Sequence, residues 1–283
     1  MERKAYAKIN LSLDVIGKRK DGYHDLKMIM QSIDLYDTIR LEIRESGIEI
    51  ISDAEFIPLN DTNIAWKAAE TFFKATGLKG GCTIKIEKNI PVAAGLAGGS
   101  TDRACVLRML NEYYNEPLKR EELIDAAKAI GADVPFCLYG GTAICEGVGE
   151  KITQLPDFEG HRVVLIKPPF GVSTKEVFQK FNLERTKIHP ETEVMIEKIK
   201  ENDLEGSAEL LKNVLENVTA NKHKVIKRIK EDFVKNGALG SLMSGSGPSV
   251  YGLFDDEKAA QNTVRFFSSK YRQIFNIKTI GRY

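Results

Sequence analysis

Hydrophobic and polar residues alternate along the first part of the chain. Between residues 4 and 16 one set of alternate positions is apolar, namely Ala5, Ala7, Ile9, Leu11, Leu13 and Val15. The positions between them are polar, namely Lys4, Lys8, Asn10, Ser12 and Asp14. A period of two is typical of a strand with one buried and one solvated face. The pattern therefore predicts a half-buried strand over 4–16.

Patterns further along the chain predict a mixture of strands and helices. Strands are predicted over 38–44, 47–52, 82–88, 142–146 and 162–167, on both sides of a glycine-rich loop within 239–254, and near 274–280. Helices are predicted near 100–114, 120–130, 173–181, 191–200, 203–215, 221–236 and 257–270. A further helix is predicted between a cap at Asp61 or Thr62 and an end at Gly77. Strands grouped with helices, without a regular alternation of the two, indicate an α+β fold.

The length of the chain predicts two domains. Its 283 residues exceed the usual size of one domain. The weakest pattern near the middle lies between Pro156 and Gly160. We therefore place the boundary there, with an N-terminal domain over 1–157 and a C-terminal domain over 158–283.

Composition narrows the class of partner. The chain has 41 basic and 40 acidic residues, so its net charge of +1 gives no reason to expect nucleic acid or an anionic membrane. No obligate protein partner is predicted. No apolar run approaches the roughly 20 residues that span a bilayer, and the start of the chain lacks the apolar stretch of a secretory signal. The four cysteines form no CxxC pair and have no histidine at metal-ligand spacing. These features predict a cytoplasmic protein with free, buried thiols.

A glycine-rich segment between a predicted strand and a predicted helix is the first candidate for chemistry. It reads Pro91-Val-Ala-Ala-Gly95-Leu-Ala-Gly98-Gly99-Ser100-Thr101-Asp102. Its glycines let the backbone approach a ligand closely. Ser100 and Thr101 can cap the helix, whose free N–H groups would then face an anion. The segment lacks the lysine of the Walker A pattern and does not match the GxGxxG pattern. By itself it fits a glycine-rich turn before a capped helix equally well.

A second glycine cluster lies in the C-terminal half, between two predicted strands. It reads Ser244-Gly-Ser-Gly-Pro-Ser249. Its small hydroxyl side chains and bare backbone suit close approach to a phosphate group or to the first glycine segment. Taken singly, the cluster also fits a tight hairpin turn.

Together the two glycine segments resemble motifs of the GHMP small-molecule kinase superfamily. Within it, Ala7-Lys-Ile-Asn-Leu11 and Gly17-Lys-Arg-Lys-Asp-Gly-Tyr-His24 look like the opening of the diphosphocytidyl-methylerythritol kinases. Gly131-Ala-Asp-Val-Pro135 and Glu146-Gly-Val-Gly149 match the same family. The motifs run from residue 7 to about residue 254, so the resemblance covers most of the chain.

The resemblance implies a fold and a reaction. The fold has an N-terminal domain like the second domain of ribosomal protein S5 and a ferredoxin-like C-terminal domain. Members of the family transfer the γ-phosphate of ATP to the 2-hydroxyl of the small molecule diphosphocytidyl-methylerythritol, in the non-mevalonate route to isoprenoid precursors. ATP is therefore the expected phosphoryl donor, with Mg²⁺ on its phosphates and no protein metal ligand assigned.

The catalytic pair that the resemblance implies is Lys8 and Asp133. Asp133 matches the catalytic aspartate of the family, and it lies in an apolar run where a carboxylate is costly unless it is paired or functional. Lys8 would keep that carboxylate ionised and offset charge on the transferred phosphoryl group. A solvated loop aspartate and a surface lysine are the structural alternatives. Asn10 resembles the asparagine that bonds the substrate near its acceptor hydroxyl.

The cytidine end of the substrate is assigned to three rings. Tyr23 resembles the residue that stacks on the base, His24 resembles the residue that bonds its polar edge, and Phe178 resembles the aromatic on the other side. Stacking tolerates any base, so selectivity for cytosine must come from hydrogen bonds. An ordinary helix core position is the alternative for Phe178.

The nucleotide site is assigned to the two glycine segments. In the first segment the expected ATP-binding residues are Pro91, Ala93, Gly95, Leu96, Ala97, Gly98, Gly99, Ser100 and Thr101, with one hydroxyl near Mg²⁺. The second segment contributes Ser244, Gly245, Ser246 and Gly247. Asn63 resembles a residue of the adenine pocket, although it can also cap its helix.

The chain departs from the family pattern at four positions. The family often has glycine at Ala97, serine at Thr101, alanine at Arg103 and an aromatic residue at Met30. Thr101 keeps a hydroxyl group, whereas Arg103 adds a charge that could point to solvent or reach a phosphate. Met30 predicts a softer wall of the cytidine pocket.

Two other functions fit the same motifs. Another kinase of the superfamily would act on mevalonate or homoserine, but the Asp-Gly-Tyr-His segment disfavours those substrates because they carry no cytosine. A non-catalytic nucleotide-binding sensor on the same fold is the second alternative, since a fold does not fix a function. Retention of both Lys8 and Asp133 disfavours it.

Overall fold

All 283 residues are described by the computed structural model, and they fall into two units. The first unit comprises Met1–Ala7, Leu35–Ile90 and Ala97–Tyr139. The second unit comprises Lys8–Asp34, Pro91–Leu96 and Gly140–Tyr283. Both units are therefore built from several stretches of chain, and the boundary between residues 157 and 158 stays a prediction.

Strands and helices are interspersed along the chain. The strands are β1 (Glu2–Lys18), β2 (His24–Arg44), β3 (Gly47–Ser52), β4 (Gly81–Glu87), β5 (Thr142–Gly147), β6 (Lys151–Gln154), β7 (Arg162–Lys167), β8 (Lys212–Asn213), β9 (Gly240–Met243), β10 (Val250–Phe254) and β11 (Gln273–Lys278). The helices are α1 (Ile64–Thr76), α2 (Gly98–Tyr113), α3 (Arg120–Ile130), α4 (Val134–Tyr139), α5 (Thr174–Lys180), α6 (Thr192–Lys200), α7 (Leu204–Glu209), α8 (Glu216–Lys222), α9 (Val225–Lys235) and α10 (Glu257–Ser268). The α+β prediction is confirmed.

The first unit packs four helices beside part of a sheet. In its sheet β4 lies between β3, to which it is parallel, and residues 38–44 of β2, to which it is antiparallel. Helix α1 buries Ala65, Ala68, Ala69 and Phe72, and it packs against α2 and α3. Gly77 ends α1 with a left-handed φ of 68°, as predicted. The predicted cap at Asp61 or Thr62 is wrong, because the Asn63 side chain accepts the N–H of Ala65 and begins the helix.

The second unit contains an antiparallel sheet of four strands in the order β11-β7-β10-β9. Helix α9 lies between β7 and β9 in the chain, and α10 lies between β10 and β11. This β-α-β-β-α-β arrangement is ferredoxin-like, as the resemblance implied. The unit also holds strand pairs outside this sheet: β5 is antiparallel to β6 and to residues 26–31 of β2, and β8 is parallel to β1.

The prediction that β1 is half-buried is wrong. Lys4 is exposed, but the rest of the polar row of β1 is as buried as the apolar row: Lys8 is 4% exposed, Asn10 and Ser12 are 0% exposed, and Asp14 is 8% exposed. A polar side chain inside the protein must find hydrogen-bond partners there. The side chains of Asn10, Ser12 and Asp14 accordingly bond to other strands or loops.

Two other predicted elements differ from the structure. Strand β2 begins 14 residues before the predicted start at residue 38, because its residues 28–33 are buried without a break and show no alternation. The predicted helix over 203–215 is instead α7, the short strand β8 and the start of α8 at Glu216. Asn213 interrupts it, since its side chain bonds to the C-terminal glycine cluster. No helix is both long enough and apolar enough to cross a bilayer.

Candidate active site

Lys8 is an interior lysine of β1. Its ammonium group donates a hydrogen bond to Asn10 Oδ1 at 2.7 Å, and its backbone N–H donates to the carbonyl of Leu96 at 3.2 Å. Burying an ammonium group is costly unless it is paired or used. Lys8 is therefore not the surface lysine that the alternating pattern would allow.

Asn10 connects β1 to the C-terminal glycine cluster. Its Oδ1 atom accepts hydrogen bonds from Lys8 Nζ at 2.7 Å and from the backbone N–H of Gly245 at 3.0 Å. Both partners are donors, so they fix the orientation of the amide. The backbone carbonyl of Asn10 also accepts the Tyr251 hydroxyl at 2.8 Å. Lys8, Asn10 and Gly245 thus form one hydrogen-bonded group.

Side chains that the sequence did not single out hold the C-terminal glycine cluster. Asn213 Nδ2 donates to the carbonyls of Met243 and Gly245, at 2.8 and 2.7 Å. The Thr219 hydroxyl donates to the Ser246 carbonyl at 3.0 Å, and the Ser246 hydroxyl lies 2.8 Å from that of Thr174. Asn213 is a buried polar residue within the predicted helix over 203–215, and Thr219 is a buried one between two predicted helices. No sequence signal distinguishes them from solvated residues.

The two glycine segments approach each other within the second unit. The Ser244 hydroxyl donates to the Gly95 carbonyl at 2.9 Å, and the N–H of Ser249 donates to the Ala94 carbonyl at 3.2 Å. A Cβ atom at Gly95 would overlap the Ser244 carbonyl oxygen and lie 3.2 Å from the Gly247 nitrogen. Gly95 also has a φ of 78°. The prediction that the second cluster suits close approach to the first segment is confirmed.

The remainder of the first segment begins α2 in the first unit. The helix starts at Gly98, and its cap is Ala97, in the left-handed conformation with φ 59° and ψ 22° and with no side-chain cap bond. The predicted cap at Ser100 or Thr101 is therefore wrong, since both lie inside the first turn. A Cβ atom at Gly99 would overlap the Ile64 side chain. No capping side chain bonds to the backbone N–H groups of this first turn.

The hydroxyl groups of Ser100 and Thr101 have different surroundings. Thr101 is 1% exposed, and its hydroxyl donates to the carbonyl of Tyr6 at 2.6 Å. That bond ties α2 to the start of β1. Ser100 is half-buried, and its role toward a ligand stays a prediction.

A buried ionic group underlies the start of α2. Lys88 pairs with Asp37 and with Asp102, the latter at 2.8 Å, and all three side chains are nearly inaccessible. Asp37 Oδ1 accepts the backbone N–H groups of Asn89 and Ile90 at 2.6 and 2.8 Å. Burial, together with the neighbouring Asp37 carboxylate, raises the pKa of Asp102 to about 7 despite the opposing effect of Lys88. The group fixes the strand-to-segment turn, and the sequence analysis missed it.

Asp133 lies directly before α4, in the first unit. It is half-buried, and its carbonyl accepts the N–H of Cys137 at 3.2 Å. Arg103 reaches the same turn: a Cβ atom at Gly131 would lie 2.9 Å from Arg103 Nη1. Burial lowers the pKa of Arg103, whereas Asp102 raises it. The side chain of Arg103 therefore packs against the turn that carries Asp133.

Asn63 has both ends of its amide occupied. Oδ1 accepts the Ala65 N–H at 2.8 Å, Nδ2 donates to the Pro58 carbonyl at 2.6 Å, and the residue is 2% exposed. Asn63 is thus the helix cap that the sequence analysis offered as an alternative. Its place in an adenine pocket stays a prediction.

The aromatic residues assigned to cytidine lie in the second unit. The rings of His24 and Phe178 are stacked with centroids 5.3 Å apart, and Phe181 meets His24 edge-on at 6.3 Å. Burial, with a smaller effect of Lys18, lowers the pKa of His24, which favours the neutral ring. Phe178 is half-buried, whereas Val177 is the core residue of α5. Tyr23 is 66% exposed and Met30 is fully buried.

The second unit brings together several predicted residues, namely Lys8, Asn10, Gly95, Leu96, Ser244, Gly245 and Ser246. Ala97, Gly98, Gly99, Ser100, Thr101 and Asp133 belong to the first unit. The pairing of Lys8 with Asp133 stays a prediction. No group of three or more His, Cys, Asp or Glu side chains could hold a metal ion.

Comparison with known families gives two matches. The description "GHMP kinases N terminal domain" matches residues 63–141, and "GHMP kinases C terminal" matches residues 195–273.

Comparison with individual proteins gives matches over nearly the whole chain. A 4-diphosphocytidyl-2-C-methyl-D-erythritol kinase of Clostridium botulinum (strain Kyoto / Type A2) is 53% identical, covering 99% of this chain and 100% of its own. The protein of the same name from Clostridium novyi (strain NT) is 51% identical, covering 98% and 99%. A crystal structure of 4-(cytidine 5'-diphospho)-2C-methyl-D-erythritol kinase is 31% identical with a TM-score of 0.83, covering 99% of this chain and 100% of that one.

Proposed function

The chain belongs to the GHMP kinase family, and from that membership we propose that it transfers the γ-phosphoryl group of ATP to the 2-hydroxyl of 4-diphosphocytidyl-2-C-methyl-D-erythritol. The products are the 2-phosphate and ADP. The observation that carries this proposal is the identity of 51% and 53% with kinases of that name, over 98% and 99% of the chain. It favours this acceptor over mevalonate or homoserine, and a kinase over a non-catalytic sensor.

Phosphoryl transfer depends mostly on positioning and on neutralising charge. Lys8 is proposed to offset the charge on the transferred group, and its burial supports this role because a charge acts more strongly away from water. Asn10 is proposed to bond the substrate next to the acceptor hydroxyl. Its Nδ2 group has only the weak acceptor Met28 Sδ at 3.4 Å, so a donor remains available.

Asp133 is proposed to orient the acceptor hydroxyl and accept its proton. Its half-buried position before α4 supports a role inside a site. Arg103, which packs against the same turn at Gly131, is proposed to hold that turn in place.

The triphosphate is proposed to lie on the first glycine segment, from Pro91 to Thr101, beside the C-terminal cluster. The uncapped N–H groups at the start of α2 support this, because they are donors at the positive end of a helix of 16 residues. The contact of Gly95 with Ser244 also supports this placement of the triphosphate. It holds the backbone of the two glycine segments together, and no bulky side chain lies between them.

Mg²⁺ is proposed to arrive on the nucleotide. Such an ion keeps several waters and needs only one or two protein oxygens besides the phosphates. Ser100 is the residue that fits beside it. Bound there, Mg²⁺ would neutralise charge on the phosphates.

The cytidine end is proposed to bind at Tyr23, His24 and Phe178. A neutral His24 can accept a hydrogen bond from an amino group on the base, which supports this role. We further propose that the protein works in a reducing cytosol, a proposal supported by its four free and buried cysteines.

The experiment that tests the proposed function identifies the product. The protein is incubated with ATP, Mg²⁺ and the cytidylated methylerythritol, and the product is examined by mass spectrometry and ³¹P NMR. A new phosphate monoester on carbon 2, formed together with ADP, is expected. Binding of ATP without its consumption, for every acceptor tried, would instead identify a sensor.

A further inference from the structure

His189 links the stretch between α5 and α6 to β1. Its Nδ1 atom lies 2.7 Å from Asp14 Oδ1, and its Nε2 atom lies 3.2 Å from the Thr186 carbonyl. Asp14 Oδ1 also accepts the N–H of Val15 at 2.8 Å. Asp14 is 8% exposed, and a carboxylate at that depth needs a charged or hydrogen-bonding partner. His189 is the basic side chain that meets it.

Asp14 is the last residue of the polar row of β1, well beyond Lys8. Six residues separate them along β1, a distance of about 20 Å in a strand. The pair is therefore too far away to touch a phosphoryl group held by Lys8. It lies instead toward Lys18, where β1 ends, and the turn that follows leads through Tyr23 to His24 at the start of β2.

The stretch that His189 anchors carries the aromatic residues assigned to cytidine. Phe178 and Phe181 contact His24 at one end, and Glu193 forms an ion pair with Lys27 at the other. Much of the stretch between them is exposed: the 3-10 turn Leu183–Arg185 has no buried residue and Ile188 is 66% exposed, whereas Thr186 is buried. His189 attaches this stretch to β1, between two contacts with β2.

We propose that Asp14 and His189 form a positioning pair, which holds the stretch from Phe178 to Glu193 so that its aromatic residues are preset to receive the cytosine ring. This proposal rests on the proposed function. A stretch that is already ordered loses less conformational freedom when the substrate binds. The pair consequently acts on binding of the cytidylated substrate and leaves ATP binding and the transfer step unchanged.

Kinetics on the full-length protein test this role. In His189→Ala we expect the KM for the cytidylated substrate to rise about tenfold, since a preset loop no longer lowers the cost of binding, with kcat and the KM for ATP within about twofold of wild type. His189→Asn keeps a donor near the Nδ1 position, so its KM for the cytidylated substrate should lie close to that of wild type. The double variant Asp14→Asn/His189→Ala should have a KM for the cytidylated substrate no higher than that of the worse single variant. The two substitutions are not additive because they break the same contact.

A second measurement does not depend on catalysis. Arg185 and Lys187 are exposed trypsin sites inside the stretch. In the protein without substrate, His189→Ala should be cut there at least about fivefold faster than wild type, because release of the anchor favours local opening. His161→Gln is the matched control, since it removes another histidine with a polar partner, Asn202, at 2.9 Å. Its cleavage at Arg185 and Lys187 should equal that of wild type.

The outcomes separate the two proposals. An unchanged KM for the cytidylated substrate in His189→Ala, or a parallel change of kcat and both KM values with no rescue by His189→Asn, overturns the positioning role. Equal tryptic cleavage of wild type and His189→Ala overturns the anchor itself. If wild type fails to phosphorylate the cytidylated substrate, the proposed function and the role in substrate binding fall together, and the tryptic result decides the anchor alone.

Discussion

The side chain of Asn10 accepts the backbone N–H of Gly245 at 3.0 Å, and so joins the first strand to the C-terminal glycine cluster. The same oxygen accepts the Lys8 ammonium group at 2.7 Å. Replacing Asn10 by Leu removes the acceptor of the buried Gly245 N–H, and a buried donor left unpaired costs about 1–3 kcal/mol. We expect the free energy of unfolding of Asn10→Leu to fall by about 1–3 kcal/mol, as measured by urea denaturation.

Asn10→Asp is the matched control, because it keeps an acceptor for both donors and replaces the Nδ2 group by an oxygen, and the added charge is paired with the adjacent Lys8 ammonium group. Its stability should stay close to that of wild type, while its kcat falls through loss of the donor to the substrate. Equal stability of Asn10→Leu and wild type would show that the shared oxygen does not hold the two segments together.

The close approach of Gly95 to Ser244 predicts that no side chain is tolerated at Gly95. Gly95→Ala should lower the free energy of unfolding by about 2 kcal/mol or more, because it adds an overlap with the Ser244 carbonyl to the strain of a left-handed residue. The rate of ATP consumption should fall at least about a hundredfold, because a displaced first glycine segment no longer positions the phosphates.

Gly77 provides the comparison for Gly95. It also has a left-handed φ, of 68°, but a Cβ atom there would meet nothing within 4 Å. Gly77→Ala should therefore cost only the strain, about 1–2 kcal/mol, with ATP consumption unchanged. If both variants lost stability and activity equally, the contact with Ser244 would have no special effect.

Asp102 predicts a specific dependence of stability on pH. Its pKa is raised to about 7 in the folded chain, chiefly by burial, from the ordinary aspartate value of 3.8. The folded chain therefore holds this proton between those values while the unfolded chain does not. The resulting stabilisation is complete below pH 3.8 and is lost as the pH rises to about 7.

Asp102→Asn should remove this dependence, because the amide keeps the shape and leaves Lys88 paired with Asp37. Between pH 5 and pH 8, the free energy of unfolding of wild type should fall by at least about 1 kcal/mol relative to the variant. Urea denaturation at both values measures this difference. Parallel curves for the two proteins would show that Asp102 is charged throughout.

Because the rings of His24 and Phe178 are stacked, we expect deletion of the Phe178 ring to affect binding of the cytidylated substrate. A ring stacked on a base contributes about 1–3 kcal/mol, so Phe178→Ala should raise the KM for the cytidylated substrate at least about fivefold. The KM for ATP should not change. Phe178→Tyr retains the ring and should behave as wild type; an unchanged KM in Phe178→Ala would remove Phe178 from the base site.

The sequence predicted elements whose pattern is local. Strand β3, strand β7 and helix α3 have the predicted bounds. Strand β3 alternates, α3 repeats at helical spacing, and β7 is a short apolar run between Arg162 and Lys167. The start of β2 was missed because a strand buried on both faces shows no period. The helix at Gly98 was predicted two residues late, since its cap is the left-handed Ala97, which has no capping side chain.

The motifs identified most of the residues proposed for the site, but not the residues that hold them. Asp37, Lys88 and Asp102 are separated by 51 and 14 positions along the chain, and only folding brings their charges together. Asn213 and Thr219 likewise act through backbone carbonyls of a distant turn. Such partnerships leave no periodic pattern, so a single sequence could not predict them.

The central claim is tested most directly by the acceptor dependence of ADP release. Wild type is assayed with ATP, Mg²⁺ and equal concentrations of cytidylated methylerythritol, mevalonate or homoserine, and ADP is measured with a coupled enzyme system. The proposed function predicts rapid ADP release with the cytidylated methylerythritol and not with the other two acceptors. In Lys8→Met and Asp133→Asn, ADP release with the cytidylated acceptor should be almost completely lost. Faster release with mevalonate or homoserine, or wild-type rates in those two variants, would contradict it.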